Sequence, residues 1–163
     1  GTQGKGMSVA IGGALAKKLN NDNQIVYSLQ GDGELEEGQN WEAIMFAAHH
    51  SIDNLIATIE WNGQQINGPT KKVMSTDSLR AKFEAFNWHV LEMDGNNMDA
   101  VVAGLHNARS FVGKGKPIVI LMNTVMGYGV DFMAGNFEWH GVAPNDEQLK
   151  VALAQLPVTL GDY

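Results

Sequence analysis

Asp32 stands between Gly31 and Gly33, Glu34-Leu35-Glu36-Glu37-Gly38 follows, and Asn62 comes 30 positions after Asp32. These residue types suit a hard divalent cation. Mg²⁺ prefers six oxygens in near-octahedral geometry and is usually held by a few protein ligands together with phosphate oxygens and water. Asp32 would supply an anionic oxygen, Asn62 a neutral carbonyl oxygen, and a main-chain carbonyl near Gln64 the remainder of the protein's share. Gly33 has no side chain to keep a phosphate away from the backbone. Ca²⁺ can occupy such a site as well. Gly-Asp-Gly by itself also reads as an ordinary turn, and Asn62 as an ordinary turn residue after a strand. What separates the two readings is whether the fold brings them together.

The flanking segments argue that it does. Apolar Ile25-Val26-Tyr27-Ser28-Leu29 leads into the acidic turn, and Leu55-Ile56-Ala57-Thr58-Ile59 ends just before Asn62. Between them Trp41, Ile44, Met45 and Ala48 recur at helical spacing, so a helix runs to about Ser51, its amino end facing the site with a partial positive charge and free N–H groups. Two parallel strands joined by a helix place their following turns side by side at the carboxyl ends of the sheet, where such folds bind ligands. Further along, 63–70 reads as a loop, and Asp77 or Ser78 caps a helix carrying Leu79, Phe83 and Phe86. Trp88–Met93 reads as a third strand. A helix carries Met98, Val101, Val102 and Leu105, and Pro117–Met122 forms a continuously apolar buried strand. Asn145 with Gln148 forms a capping box for a last helix ending near Leu156-Pro157. The predicted fold is α/β: a three-layer parallel sheet with helices on both faces, one domain over 1–163.

At the amino end, Gly1-Thr2-Gln3-Gly4-Lys5-Gly6 precedes a small-residue helix over Met7–Leu19, with Gly12-Gly13 inside it suggesting tight packing against a helix or a partner chain. The glycine turn fits a phosphate nest or a flexible leader equally. It has no strand before it, so the chain reads as short at its amino end. Length and a 44% hydrophobic content fit a globular domain. A formal charge of -7 with 11 Lys+Arg argues against nucleic acid, and would make a phosphorylated ligand depend on a metal. Zero cysteines fit a reducing compartment, with a cytoplasmic location expected, and no run approaches the ~18 apolar residues of a membrane-spanning helix.

Of the five histidines, only His140 lies in a glycine-flanked loop near the site. His49 and His50 end a helix, and His89 and His106 read as structural. Glu34 and Glu36 are expected on a solvated face or in a helical first turn. Trp41, Trp61 and Trp88 read as core or interface residues.

The text of 31–43, Gly-Asp-Gly-Glu-Leu-Glu-Glu-Gly-Gln-Asn-Trp-Glu-Ala, resembles transketolase, and Gly31-Asp32-Gly33 with Asn62 matches the thiamine-diphosphate signature. The likeness continues through Asp53-Asn54-Leu55, Asn62-Gly63, Asn67-Gly68-Pro69-Thr70, Phe83–His89, Gly127-Tyr128-Gly129, Trp139-His140-Gly141 and Ala143–Glu147. Its style is that of the amino-terminal, diphosphate-binding subunit of split bacterial transketolases. The resemblance implies thiamine diphosphate with Mg²⁺ as cofactors. By it, Asp32, Asn62 and the Gln64 main chain bind the metal, and Gly1, Thr2, Gln3, Gly31 and Gly33 border the cofactor. His140 touches diphosphate and substrate, and Glu37 belongs to an acidic network near an oligomer interface. It also implies a pyrimidine-binding partner subunit or domain and sugar phosphate substrates. Further family histidines, and the glutamate that activates the aminopyrimidine, have no counterpart here. Taken alone, the chain is therefore expected not to catalyse ketol transfer. The alternatives are another thiamine-diphosphate enzyme, such as a 2-oxo-acid dehydrogenase alpha subunit or a deoxyxylulose-phosphate synthase, or a non-catalytic remnant of the fold.

Overall fold

The structure, a computed structural model, describes residues 3–157. In chain order the elements are α1 (Gly6–Leu19), β1 (Val26–Gly31), α2 (Gly38–His49), β2 (Leu55–Trp61), β3 (Gln64–Gln65), β4 (Gly68–Pro69), α3 (Thr70–Val73), α4 (Leu79–Ala85), β5 (His89–Asp94), α5 (Met98–Arg109), β6 (Ile118–Asn123) and α6 (Asp146–Gln155). Short 3₁₀ turns cover Gly33–Glu36 and Phe137–Trp139. The four apolar runs become one four-stranded sheet in the order β1-β2-β6-β5. All its pairings are parallel.

Central strands of a parallel sheet are covered on both faces, and their sequences show it: Ile118 to Leu121 are all buried. On one face α1, α2 and α4 contribute Met7, Ile11, Ile44, Ala47, Leu79 and Phe83, packed on Leu55, Ala57, Ile59, Val119 and Leu121. On the other, α5 sets Val101, Leu105 and Ala108 against Ile56, Ile118 and Ile120. The alternate residues of β2 and β6 divide between these clusters, as side chains do along a strand. Each fully buried Ile, Leu or Phe contributes about 1.5–3 kcal/mol of transfer free energy. Trp88 closes the first cluster, its indole N–H donating to the Ile44 carbonyl at 2.9 Å. Trp41 donates to the Leu35 carbonyl at 2.7 Å, which binds α2 to the 3₁₀ turn below it.

Local signals place the caps. Ser78 accepts from the Ala81 N–H, Asn97 from Ala100, and Asn145 with Gln148 forms the reciprocal capping box. Asp77 precedes the α4 cap with a positive φ of 47° instead of capping the helix itself. Two segments differ from the sequence reading. The stretch expected as a loop over 63–70 contains the antiparallel pair β3–β4, and α3 opens at Thr70. Gly68 makes this bend at φ +128°, a conformation that side-chain-bearing residues rarely adopt. Gly12 and Gly13, expected to pack against a helix or a partner chain, do not pack against another helix of this chain: no atom of the described residues lies within 4 Å of a side chain built on either. Ile11 and Ala14 of α1 are buried in one cluster with Ala43, Ile44 and Ala47 of α2.

Candidate functional site

Register brings the acidic turn and the Asn62 turn together. Gly31 pairs with Glu60 across β1 and β2, and Trp61 with Asn123 across β2 and β6. The carboxyl ends of the three strands are therefore level, and a cleft of about 620 Å³ opens over those of β1 and β2. Its lining includes Gln3, Asp32, Gly33, Asn62, Gln64 and His140.

Asp32 is the centre of this arrangement. It is 3% exposed. Oδ1 accepts from the Gly33 N–H at 2.8 Å and Oδ2 from the Gly63 N–H at 2.7 Å. Burial pushes its carboxyl above the usual aspartate range and the nearby Glu60 charge pushes the same way, while the two N–H groups pull against them. A buried carboxylate held only by backbone N–H groups, beside a second carboxylate, is a site where added positive charge relieves strain. Asn62 is pinned next to it: Oδ1 accepts from the Gln64 N–H at 2.7 Å, and Nδ2 donates to Glu60 Oε2 at 2.9 Å. Among the described residues no three His, Asp or Glu side chains converge as metal ligands. A cation here would accordingly take one carboxylate, one amide oxygen and a main-chain carbonyl, leaving positions for phosphate and water, the mixed oxygen set Mg²⁺ accepts. The residues present fit the group.

The structure also rearranges the predicted surroundings. Gly33 is covered by the Gln65 side chain, whose Oε1 would lie 2.9 Å from a Cβ at that position. The chain beyond Asp32 turns first through 3₁₀ at Gly33–Glu36, so Glu36 and Glu37 line the cleft. The helix expected after this turn, α2, starts at Gly38. Glu34 lies in the first turn of the 3₁₀ segment, the second of the two places expected for it, and turns inward rather than to solvent: Oε1 accepts from the Gly4 N–H at 2.7 Å and Oε2 from the Gly31 N–H at 3.4 Å. The carboxylate has backbone donors to satisfy it, which solvent would otherwise provide. Glu34 thus ties the amino-terminal glycine turn to the acidic turn, and Gly4 is needed there. It adopts φ +78°, and a Cβ would meet the Glu37 Cβ at 2.9 Å.

Glu37 is exposed at the N-cap of α2, on the rim of the cleft, without a side-chain cap bond. His140 follows the Phe137–Trp139 turn, is exposed, and borders the same cleft from more than a hundred residues beyond Asp32. Gln3 lines the cleft; Gly1 and Thr2 lie outside the described residues. His49 and His50 stay exposed at the end of α2, and His89 stacks on Phe111 with ring centroids 3.7 Å apart. Sequence reasoning missed Glu60. The one signal available was a charged residue at the end of an otherwise apolar strand.

A strand-end cleft with an Asp-Asn pair allows several phosphate-binding families, and comparison with known proteins decides among them. The family described as transketolase, thiamine diphosphate binding domain, matches residues 1–159. This chain belongs to that family. It is 40% identical over 156 residues to a 6-deoxy-6-sulfo-D-fructose transketolase subunit of Clostridium sp. (strain MSTE9), covering 96% of this chain and 56% of that protein. It is 41% identical over 156 residues to an apulose-4-phosphate transketolase subunit of Actinobacillus succinogenes, covering 96% and 55%. The chain spans a little over half the length of these relatives. Among solved structures, the transketolase of Campylobacter jejuni superposes with a TM-score of 0.85 at 29% identity, over 95% of this chain and 25% of that one. The chain is a transketolase-type thiamine-diphosphate-binding domain, with the three-layer parallel fold of that family.

Proposed function

We propose that this domain is the diphosphate-binding half of a two-part transketolase, in which a two-carbon ketol unit passes from a ketose phosphate to an aldose phosphate. The observation that carries the reading is the convergence of Asp32, Asn62, Gln64 and His140 on one cleft at the strand ends of a transketolase-family domain. Asp32, the Asn62 amide oxygen and the Gln64 main-chain carbonyl would hold Mg²⁺, or Ca²⁺ in its place, which would supply the positive charge that an anionic diphosphate needs beside this acidic surface. Gln3 borders the cofactor from the amino-terminal side, Gly31 and Gly33 from the acidic turn. His140 donates to the diphosphate or to a substrate hydroxyl. Glu37, on the rim, faces a neighbouring chain. Bound thiamine diphosphate supplies the electron sink for carbon–carbon cleavage; the protein binds, orients and excludes water.

The reactive end of the cofactor is completed by a pyrimidine-binding subunit or domain, in a homo- or hetero-oligomer of cytoplasmic location. The names of the relatives, for a sulfofructose and for apulose 4-phosphate, point to a substrate of the ketose class carrying an anionic terminal group. The deciding experiment is calorimetry of the full-length protein with its partner, thiamine diphosphate and Mg²⁺, followed by a ketol-transfer assay set against 2-oxo-acid decarboxylation. Metal-dependent binding and ketol transfer are expected. Absence of binding with the partner present would overturn the reading.

A further inference from the structure

Glu60 is a charged residue at the end of β2, whose other side chains from Leu55 to Ile59 are apolar or small. Across the sheet it pairs with Gly31 of β1 on one side and Met122 of β6 on the other, so its carboxylate stands over three strand ends. Both oxygens are engaged. Oε2 accepts from Asn62 Nδ2 at 2.9 Å, and Oε1 accepts from the Thr124 hydroxyl. Thr124 is fixed in turn by its own N–H, which donates to the Trp61 carbonyl at 3.3 Å. Glu60 is thus held by Thr124, just past β6, while it holds Asn62, just past β2, at the wall of the same cleft.

An asparagine amide has two faces of nearly identical shape and opposite chemistry. Only the oxygen face can bind a cation; the NH₂ face repels it. Here a half-turn of the Asn62 amide would set Nδ2 against the Gln64 N–H, donor against donor, and Oδ1 against the Glu60 carboxylate, acceptor against acceptor. Both contacts would be lost and both replaced by repulsion. We infer that Glu60 and Thr124 are positioning residues that set the sense of the Asn62 amide, so that its oxygen is offered to the cation before the cation arrives. In this role Glu60 acts through Asn62. This rests on the assignment of Asn62 to the metal.

The test uses the full-length protein assembled with its partner, thiamine diphosphate held at saturation and Mg²⁺ titrated, with cofactor binding followed by calorimetry and by the fluorescence of Trp61, next in sequence to Asn62. Glu60→Ala and the isosteric Thr124→Val should raise the half-saturating Mg²⁺ concentration by about tenfold or more, the usual effect of removing a group that orients a metal ligand. Glu60→Gln and Thr124→Ser, which keep an acceptor and a hydroxyl respectively, should stay near the native value. In an Asn62→Ala background Glu60→Ala should cause no further loss. If Glu60→Gln is as weak as Glu60→Ala, charge and not amide sense is what matters, and the inference is overturned. It is also overturned if Asp32→Ala abolishes the Mg²⁺ dependence while Glu60→Ala and Thr124→Val leave it unchanged. If Asp32→Ala leaves the dependence intact, the metal assignment itself has failed.

Discussion

Asp32 Oδ2 accepts a 2.7 Å hydrogen bond from the Gly63 N–H, a residue 31 positions further along the chain. One side chain thereby joins the turn after β1 to the turn after β2, the two halves of the candidate metal site. Asp32→Ala should abolish metal-dependent cofactor binding, and chelation with EDTA should do the same to the native protein. Calorimetry with and without Mg²⁺ reads both. Unchanged affinity in the variant would show that the cation is held elsewhere.

Glu34 and Gly4 make a second joint, between the amino-terminal glycine turn and the acidic turn, through a 2.7 Å bond. Glu34→Ala leaves the Gly4 N–H without its partner and should cost about 1–3 kcal/mol if that group stays buried. Gly4→Ala should weaken cofactor binding more than it lowers stability, because the turn must move away from Glu37 while the core is untouched. Parallel melting and binding measurements separate the two effects. Equal losses in both variants by both measures would sink the idea of a local joint.

His89 provides a pH dependence. Its ring lies against Phe111, and Nε2 is buried with no hydrogen-bond partner among the described residues. Burial first, then the charges of Lys116 and Lys114, hold its pKa below the ordinary 6.5. Protonation is therefore harder in the folded state than in the unfolded one. The stability this contributes is present above pH 6.5 and is lost as pH falls from there through the depressed folded value. Urea midpoints at about pH 8 and about pH 5 should differ more for the native protein than for His89→Phe. Identical differences would assign the acid sensitivity to other groups.

Phe83 is fully buried between Trp88, at a centroid distance of 5.4 Å, and Trp41, at 5.8 Å. Phe83→Ala should cost about 3–5 kcal/mol, since two rigid indoles, each anchored by its N–H, cannot collapse into the space. A urea-denaturation series measures it, and a cost below about 1.5 kcal/mol would show that the cluster repacks freely.

Much of this protein was legible in its sequence, for a local reason. Strand runs, helical periodicity and the caps at Ser78 and Asn145 depend on residues a few positions apart, so composition and spacing determine them. The acidic turn and Asn62 were legible as candidates because each follows an apolar run, and parallel strands present their following turns at one edge. The strand order β1-β2-β6-β5 was not, because it places β6 between two strands that precede it in sequence. That order, set by which apolar faces bury one another, is what brings Thr124 to Glu60 across 64 positions, and the packing of α1 on β1 brings Gly4 to Glu34 across 30. Carboxylates read from sequence look solvated, and only the packed structure shows the donors that take them inward. The sequence by itself determined which residues could bind a cation and a phosphate. The tertiary structure alone decided which groups hold those residues in position, because hydrogen bonds form through space and not along the chain.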